Sequence, residues 1–105
     1  MSKINENLKI VIYGAGEHTL KLLELTDLPK KNIQFIIDSY KTNFKVNKYE
    51  VKKPEKLKKL DVDIVIVSSF RFQNEIVKYL KDKLNFNGKF ITLYNENGFE
   101  PFYQV

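Results

Sequence analysis

Four short apolar runs, rich in β-branched residues, recur along the chain and limit its fold more than any other feature. They are LKIVIY (8–13), NIQFII (32–37), VDIVIV (62–67) and KFITLY (89–94). Because these runs are apolar on nearly every residue, they are typical of strands buried on both faces. The segments between them are long enough to hold helices, and strands that alternate with helices predict a parallel sheet covered on both sides.

The intervening segments carry helix signals. The first helix is predicted over residues 17–28, before Pro29, and a short helix is predicted to begin at Pro54, since proline fits the first helical turn. A third helix is predicted from about residue 70 to 84, with its apolar side chains on one face. The lysine-rich segment 39–53 is predicted to be irregular, apart from a short edge strand near Phe44–Val46.

These elements predict one Rossmann-like domain spanning residues 1–105, with a core of about 8–94 and an irregular aromatic tail over 95–105. Right-handed crossovers leave few arrangements for such an order of elements. We expect a three-layer α/β/α fold whose parallel sheet has the strand order 3-2-1-4-5, with the third strand short or missing.

Gly14-Ala15-Gly16 falls between the first predicted strand and the first predicted helix. Glycine permits a tight turn and a close approach of a ligand to the backbone. The helix that follows offers unpaired N–H groups and a positive dipole end. The turn is therefore a candidate cradle for an anion, most often a pyrophosphate, although Thr19 stands where the G-x-G-x-x-G fingerprint has its third glycine.

Other candidate ligand contacts surround this turn. Glu17 and His18 begin the predicted helix, and Asp38 follows the second strand, where a carboxylate can accept hydrogen bonds from a ribose or simply start a turn. Ser68 and Ser69 follow the strand that we expect beside the first one. They either line the crevice where ligands bind in doubly wound sheets or cap the next helix.

Several chemistries are excluded or disfavoured. The chain has no cysteine, no phosphate-binding G-x-x-x-x-G-K-[ST] motif and no histidine–acid cluster with metal-ligand spacing, so neither a catalytic residue nor a metal is predicted. Tyr13 precedes the glycine turn, where methyltransferases that use adenosylmethionine usually carry an acid. Tyr79 and Lys83 match the Tyr-x-x-x-Lys proton-relay signature of short-chain dehydrogenases. About one such pair is expected by chance among six tyrosines and seventeen lysines, so the match is not interpreted as a catalytic site.

The net charge of +5 comes from seventeen lysines and a single arginine, Arg71. Arginine is the preferred residue for bidentate recognition of phosphates and bases, so nucleic acid is not a predicted partner. The lysines between residues 52 and 59 are interpreted as a solvated surface. No signal-peptide pattern or membrane-length apolar run occurs, so we expect a cytoplasmic protein without a membrane partner.

Three segments, IYGAGEHT, FIID and DIVIVSSFRFQNEI, resemble small Rossmann-like domains of bacterial surface-sugar pathways. Similar domains form the nucleotide-sugar-binding part of sugar acetyltransferases or are fused to C-methyltransferases, glycosyltransferases and nucleotide-sugar dehydratases. The resemblance covers about residues 8–94 and implies that Gly14–Gly16 and His18 face phosphate. It also matches Asp38 to the family's acid and Ser68 to the end of its fourth strand. The catalytic domain of those proteins has no counterpart here.

The expected function is therefore a binding module for a nucleotide or nucleotide-sugar in bacterial polysaccharide biosynthesis, not an enzyme by itself. UDP-sugar and NAD are the expected ligands, and Asp38 would repel the 2′-phosphate of NADP. A homodimer or a separate sugar-modifying enzyme is the expected protein partner. Two alternatives remain: an NAD(H)-binding enzyme or redox-sensing subunit completed by dimerisation, and a protein–protein interaction domain with a degenerate ligand site.

Overall fold

The computed structural model describes residues 7–26, 28–41, 45–59, 61–68, 72–95 and 98–104. Seven strands are present in these ranges: β1 (Ile10–Tyr13), β2 (Ile33–Ile37), β3 (Lys45–Val46), β4 (Tyr49–Lys52), β5 (Ile64–Val67), β6 (Lys89–Asn95) and β7 (Gly98–Gln104). The same ranges hold two α-helices, α1 (Glu17–Leu25) and α2 (Gln73–Asp82), and two 3₁₀ helices, Leu28–Lys30 and Pro54–Lys59.

The strands form one sheet in the order β3-β4-β2-β1-β5-β6-β7. Pairing is parallel from β4 through β2, β1 and β5 to β6, whereas β3 and β7 pair antiparallel with their neighbours. The predicted α/β class is confirmed. The prediction of a wholly parallel sheet is wrong at both edges, because β3 and β7 each pair with the strand adjacent in sequence, and such close neighbours run antiparallel.

Side chains of β1 alternate between two hydrophobic cores. Ile10 and Ile12 pack with Leu22 of α1 on one face. Val11 packs with Leu80 of α2 on the opposite face. Both faces of the central strand are thus covered, which explains why the strand is apolar throughout.

Residues 45–52 form a β-hairpin. Its first strand, Lys45–Val46, lies at the predicted edge strand, whereas its second strand, Tyr49–Lys52, lies in the segment predicted to be irregular, so the prediction is wrong for that strand. Asn47 occupies the turn with a φ of 57°, a conformation that asparagine tolerates. Tyr49 and Val51 are buried while Glu50 between them is exposed, which is the period of a strand. This alternation spans only four residues among many lysines, and Phe44, at the start of the predicted edge strand, lies outside the described residues.

The tail predicted to be irregular over 95–105 instead contains β7, which pairs with β6 from Gly98 to Gln104. The register shifts opposite Thr92–Tyr94, the region that faces Pro101. Proline argues against a central strand but is compatible with an edge strand or a bulge. Pro101 is in the last strand of the sheet, within the stretch where the register shifts.

The helices are shorter than predicted. Thr26 ends α1, because its hydroxyl donates to Leu22 O at 2.6 Å and accepts from Leu28 N at 3.2 Å, which diverts the chain into a 3₁₀ turn. The helix expected at Pro54 is also a 3₁₀ helix. Neither α-helix in the described ranges is long and apolar enough to span a membrane.

Leu80→Ala is expected to lower the free energy of unfolding by about 2–5 kcal/mol, because Leu80 is fully buried and its truncation leaves a cavity under α2. Leu25→Ala is the matched control. Leu25 is 79% exposed on α1, so its truncation should lower the free energy of unfolding by about 0.5 kcal/mol or less. Urea unfolding followed by circular dichroism measures both. Equal losses in the two variants would contradict the packing of α2 on the sheet.

Candidate functional site

Three residues predicted to contact a ligand meet at one edge of the sheet. Tyr13, the last residue of β1, is in register with the last residues of β2 and β5. The residues that follow on the three strands are Gly14, Asp38 and Ser68, and all three leave the sheet at its carboxyl edge. Ser69 lies outside the described residues.

Gly14 occupies a position that only glycine fits. Its φ is +122°, and a Cβ atom built there would lie 2.8 Å from the backbone oxygen of Ser68. Its N–H donates to Ile37 O at 2.8 Å, which continues the β1–β2 ladder into the turn. Backbone angle and space therefore both require glycine.

The Asp38 carboxylate holds the turn in place by accepting three backbone hydrogen bonds. Oδ2 accepts from Ala15 N at 2.9 Å, and Oδ1 accepts from Tyr40 N at 2.8 Å and Lys41 N at 2.9 Å. Asp38 therefore starts a turn and also clamps the glycine turn to the loop after β2. A carboxylate has about four acceptor positions, so one position on Oδ2 remains for a further donor such as a ribose hydroxyl.

The amides of the turn divide into two groups. Those of Gly14 and Ala15 already donate within the protein. Gly16 is the N-cap of α1 and provides no side-chain cap, and the N–H groups of the first helical turn have no acceptor within the helix. Glu17 is exposed at the first helical position, and His18 follows it in the helix backbone.

Thr19 replaces the third glycine of the fingerprint without opening a gap. The residue is fully buried, and its Oγ1 donates to the carbonyl oxygen of Gly14. The first turn of α1 is thereby tied to the glycine turn by a side chain, where the fingerprint would rely on close backbone packing.

Lys41 brings a positive charge to the same place. A Cβ atom built on Gly16 would lie 3.9 Å from Lys41 Nζ, so the ammonium group is beside the start of α1. Lys41 forms no ion pair with any residue in the described part of the chain. A cation at the positive end of a helix is electrostatically unfavourable unless an anion sits between them.

A cleft of about 360 Å³ adjoins the glycine turn on the α2 side of the sheet. Its walls are largely aromatic, with side chains from Tyr13, Tyr40, Phe72 and Tyr79. Its polar lining comes from Asp38, Ser39 and Glu75. A volume above about 300 Å³ with an apolar wall and a few polar groups is typical of a small-molecule site.

Two phenols of the cleft are already hydrogen-bonded. The Tyr13 hydroxyl pairs with Ser39 Oγ, and the Tyr79 hydroxyl donates to Glu55 Oε1 at 3.4 Å rather than pairing with Lys83. Burial raises the pKa of Tyr13, and burial together with the Glu55 carboxylate raises the pKa of Tyr79. Both side chains are therefore neutral at pH 7.

The Ser68 hydroxyl differs from the tyrosine hydroxyls in that it is buried without a hydrogen bond. The residue is 5% exposed, and its Oγ has no hydrogen-bond partner in the described structure. A buried hydroxyl without a partner costs about 1–3 kcal/mol, so such groups mark positions that a ligand or water completes.

A family profile described as "C2185-like, N-terminal" matches residues 6–92. The chain belongs to this family. No curated protein and no solved structure matches it significantly. The described residues of this C2185-like domain contain no group of three or more histidine or acidic side chains that could hold a metal ion.

Sequence reasoning missed Tyr40, Lys41, Phe72 and Glu75 as neighbours of the site. Tyr40 and Lys41 fall in the lysine-rich segment without a clear pattern, and their placement depends on the turn that Asp38 makes. Phe72 and Glu75 are brought there by α2, which begins above the end of the sheet. Tyr79 was assigned to a chance motif, although its position on the core-facing side of α2 was readable from the helical period.

Gly14→Ala is expected to lower the free energy of unfolding by about 2–4 kcal/mol, from the strained φ and the clash with the Ser68 carbonyl. Gly16→Ala is the control, because Gly16 has an extended backbone with a φ of −99° and room for a Cβ atom. That change should cost under about 1 kcal/mol. Thermal and urea unfolding compare the two, and equal tolerance at both positions would contradict the geometry of the turn.

Proposed function

We propose that this domain binds a nucleotide or nucleotide-sugar, with the diphosphate seated at the start of α1. The observation that carries the proposal is the uncapped N-terminus of α1 with the Lys41 ammonium group beside Gly16. Unpaired N–H groups, the helix dipole and a lysine all attract the same kind of ligand, a group with several anionic oxygens. A diphosphate satisfies all three, whereas water satisfies only the N–H groups.

In this proposal the site residues have separate tasks. Gly16 and Glu17 present backbone amides to phosphate, while Gly14 and Ala15 build the turn with amides that stay within the protein. Asp38 positions the turn and keeps one acceptor position for a ribose hydroxyl. Ser68, with its unpaired hydroxyl, is the neighbouring donor.

A Rossmann-like relationship is part of the same proposal. The five strands that pair in parallel follow the spatial order β4-β2-β1-β5-β6, which supports the order 3-2-1-4-5 when only these five are counted. In sheets of this order the crevice at the carboxyl edge of the first strand is where ligands bind. The role in surface-glycan biosynthesis, the need for a separate enzyme and the cytoplasmic location remain predictions from sequence.

The proposal is tested by titrating the chain with inorganic pyrophosphate, UDP and NAD, using calorimetry and thermal shift. Binding at a hundredfold excess over Kd should stabilise the fold by about 2.7 kcal/mol. The proposed function would be contradicted if none of these three probes binds and CDP, ADP and IDP do not bind either.

Lys41→Gln is expected to weaken pyrophosphate binding by about tenfold or more, because it removes a charge-assisted contact to the anion. The stability of the unliganded variant should be unchanged or slightly higher, since a cation leaves the positive end of α1. This opposite effect on affinity and stability separates a ligand contact from a structural role.

Lys45→Gln is the matched control. Lys45 is exposed on β3, so its substitution removes the same charge from a position outside the proposed site. Its affinity for pyrophosphate should equal that of the wild type. Equal affinities in all three proteins would remove Lys41 from the site. Asp38→Ala is less informative, because losing three backbone hydrogen bonds disturbs the turn itself.

A further inference from the structure

We infer that the cleft beside the glycine turn selects a nucleobase that carries an exocyclic amine, namely cytosine or adenine, over a base with a carbonyl oxygen at the same position, namely uracil, thymine or hypoxanthine. The inference rests on the proposed function, because the diphosphate at α1 is what brings a base to this cleft. It goes beyond that function by naming the class of base and the side chain that reads it.

The cleft has the walls that a planar ring needs. Tyr40 is 93% exposed on the loop after β2, and Phe72 is 55% exposed at the start of α2, so both present ring surface at the cleft. Gly14 lines the same cleft and is two residues from Gly16. A base stacked on these side chains therefore lies next to the proposed phosphate position, as in one nucleotide.

The polar groups of the cleft are mainly acceptors. The carboxylates of Asp38 and Glu75 can only accept hydrogen bonds. The Tyr13 and Ser39 hydroxyls pair with each other, and the Tyr79 hydroxyl donates to Glu55. No lysine, arginine, asparagine or glutamine side chain is among the described residues that line the cleft. The two carboxylates therefore favour an occupant that brings its own N–H donors.

Glu75 is the carboxylate of the cleft that accepts no hydrogen bond from the described residues. It lies in the first turn of α2, is exposed, and makes no hydrogen bond or ion pair with any described residue. Asp38, in contrast, already accepts three backbone hydrogen bonds. An exocyclic amine can donate to Glu75, whereas the carbonyl oxygen at the same position of uracil or thymine would face it with lone pairs.

Two pairs of ligands isolate this difference. CDP and UDP differ at position 4 of the pyrimidine, and ADP and IDP differ at position 6 of the purine, in each case by an amine against a carbonyl oxygen. In whichever pair fits the cleft, the amine-bearing member should bind the wild-type chain about tenfold tighter or more, as expected for a hydrogen bond to a charged acceptor. Isothermal titration calorimetry measures all four dissociation constants.

Glu75→Gln should reduce this preference to about twofold or reverse it, because the glutamine amide can donate to a carbonyl oxygen. Asp82→Asn is the matched control, since Asp82 ends the same helix, about 10 Å further along, and loses the same charge. It should keep the preference of the wild type. Affinity for inorganic pyrophosphate, which has no base, should not fall in either variant, because each substitution only removes a negative charge.

The outcomes separate the inference from the proposed function. Equal affinities within both ligand pairs, a preference for UDP or IDP, or a preference that survives Glu75→Gln would overturn the inference and leave diphosphate binding intact. Binding of pyrophosphate with no gain from any base would do the same. If neither pyrophosphate nor any of the four nucleotides binds, the proposed function fails and the inference fails with it.

Discussion

The carboxylate of Asp38 is the contact on which the rest of the site depends. It joins Ala15 of the glycine turn to Tyr40 and Lys41 of the loop after β2 through three hydrogen bonds. Hydrogen bonds to a charged acceptor are stronger than those between neutral groups, so the clamp is well suited to hold two loops that share no secondary structure. It holds the backbone of Tyr40, which lines the cleft, and of Lys41, whose ammonium group lies beside the start of α1.

This clamp also decides which groups remain available to a ligand. Because Asp38 occupies the Ala15 amide and β2 occupies the Gly14 amide, the proposed anion site is at Gly16 and the first turn of α1. One side of the turn is then cationic, through Lys41, and the other opens into an aromatic cleft lined by carboxylates. The proposed nucleotide fits both sides, with an anionic end and a planar end that donates hydrogen bonds.

Sequence reasoning found the α/β class, the four central strands and the positions of Gly14, Asp38 and Ser68, because long apolar runs and glycine turns leave strong local signals. It missed β4 and β7, where the signal is a four-residue alternation among lysines in one case and a strand containing Pro101 in the other. It also missed Lys41 and Glu75. Their roles depend on where the Asp38 turn and α2 place them relative to the glycine turn, and this tertiary arrangement is not visible in the local sequence pattern.

In the proposed function the first turn of α1, and not the glycine turn as a whole, receives an anion. Backbone amide NMR spectra recorded during a titration with inorganic pyrophosphate test it most directly. The largest shifts are expected at Gly16 and Glu17, while the Ala15 amide keeps its protection from hydrogen exchange because it stays bonded to Asp38. Shifts confined to the lysine-rich residues 52–59, or loss of protection at Ala15, would contradict the account.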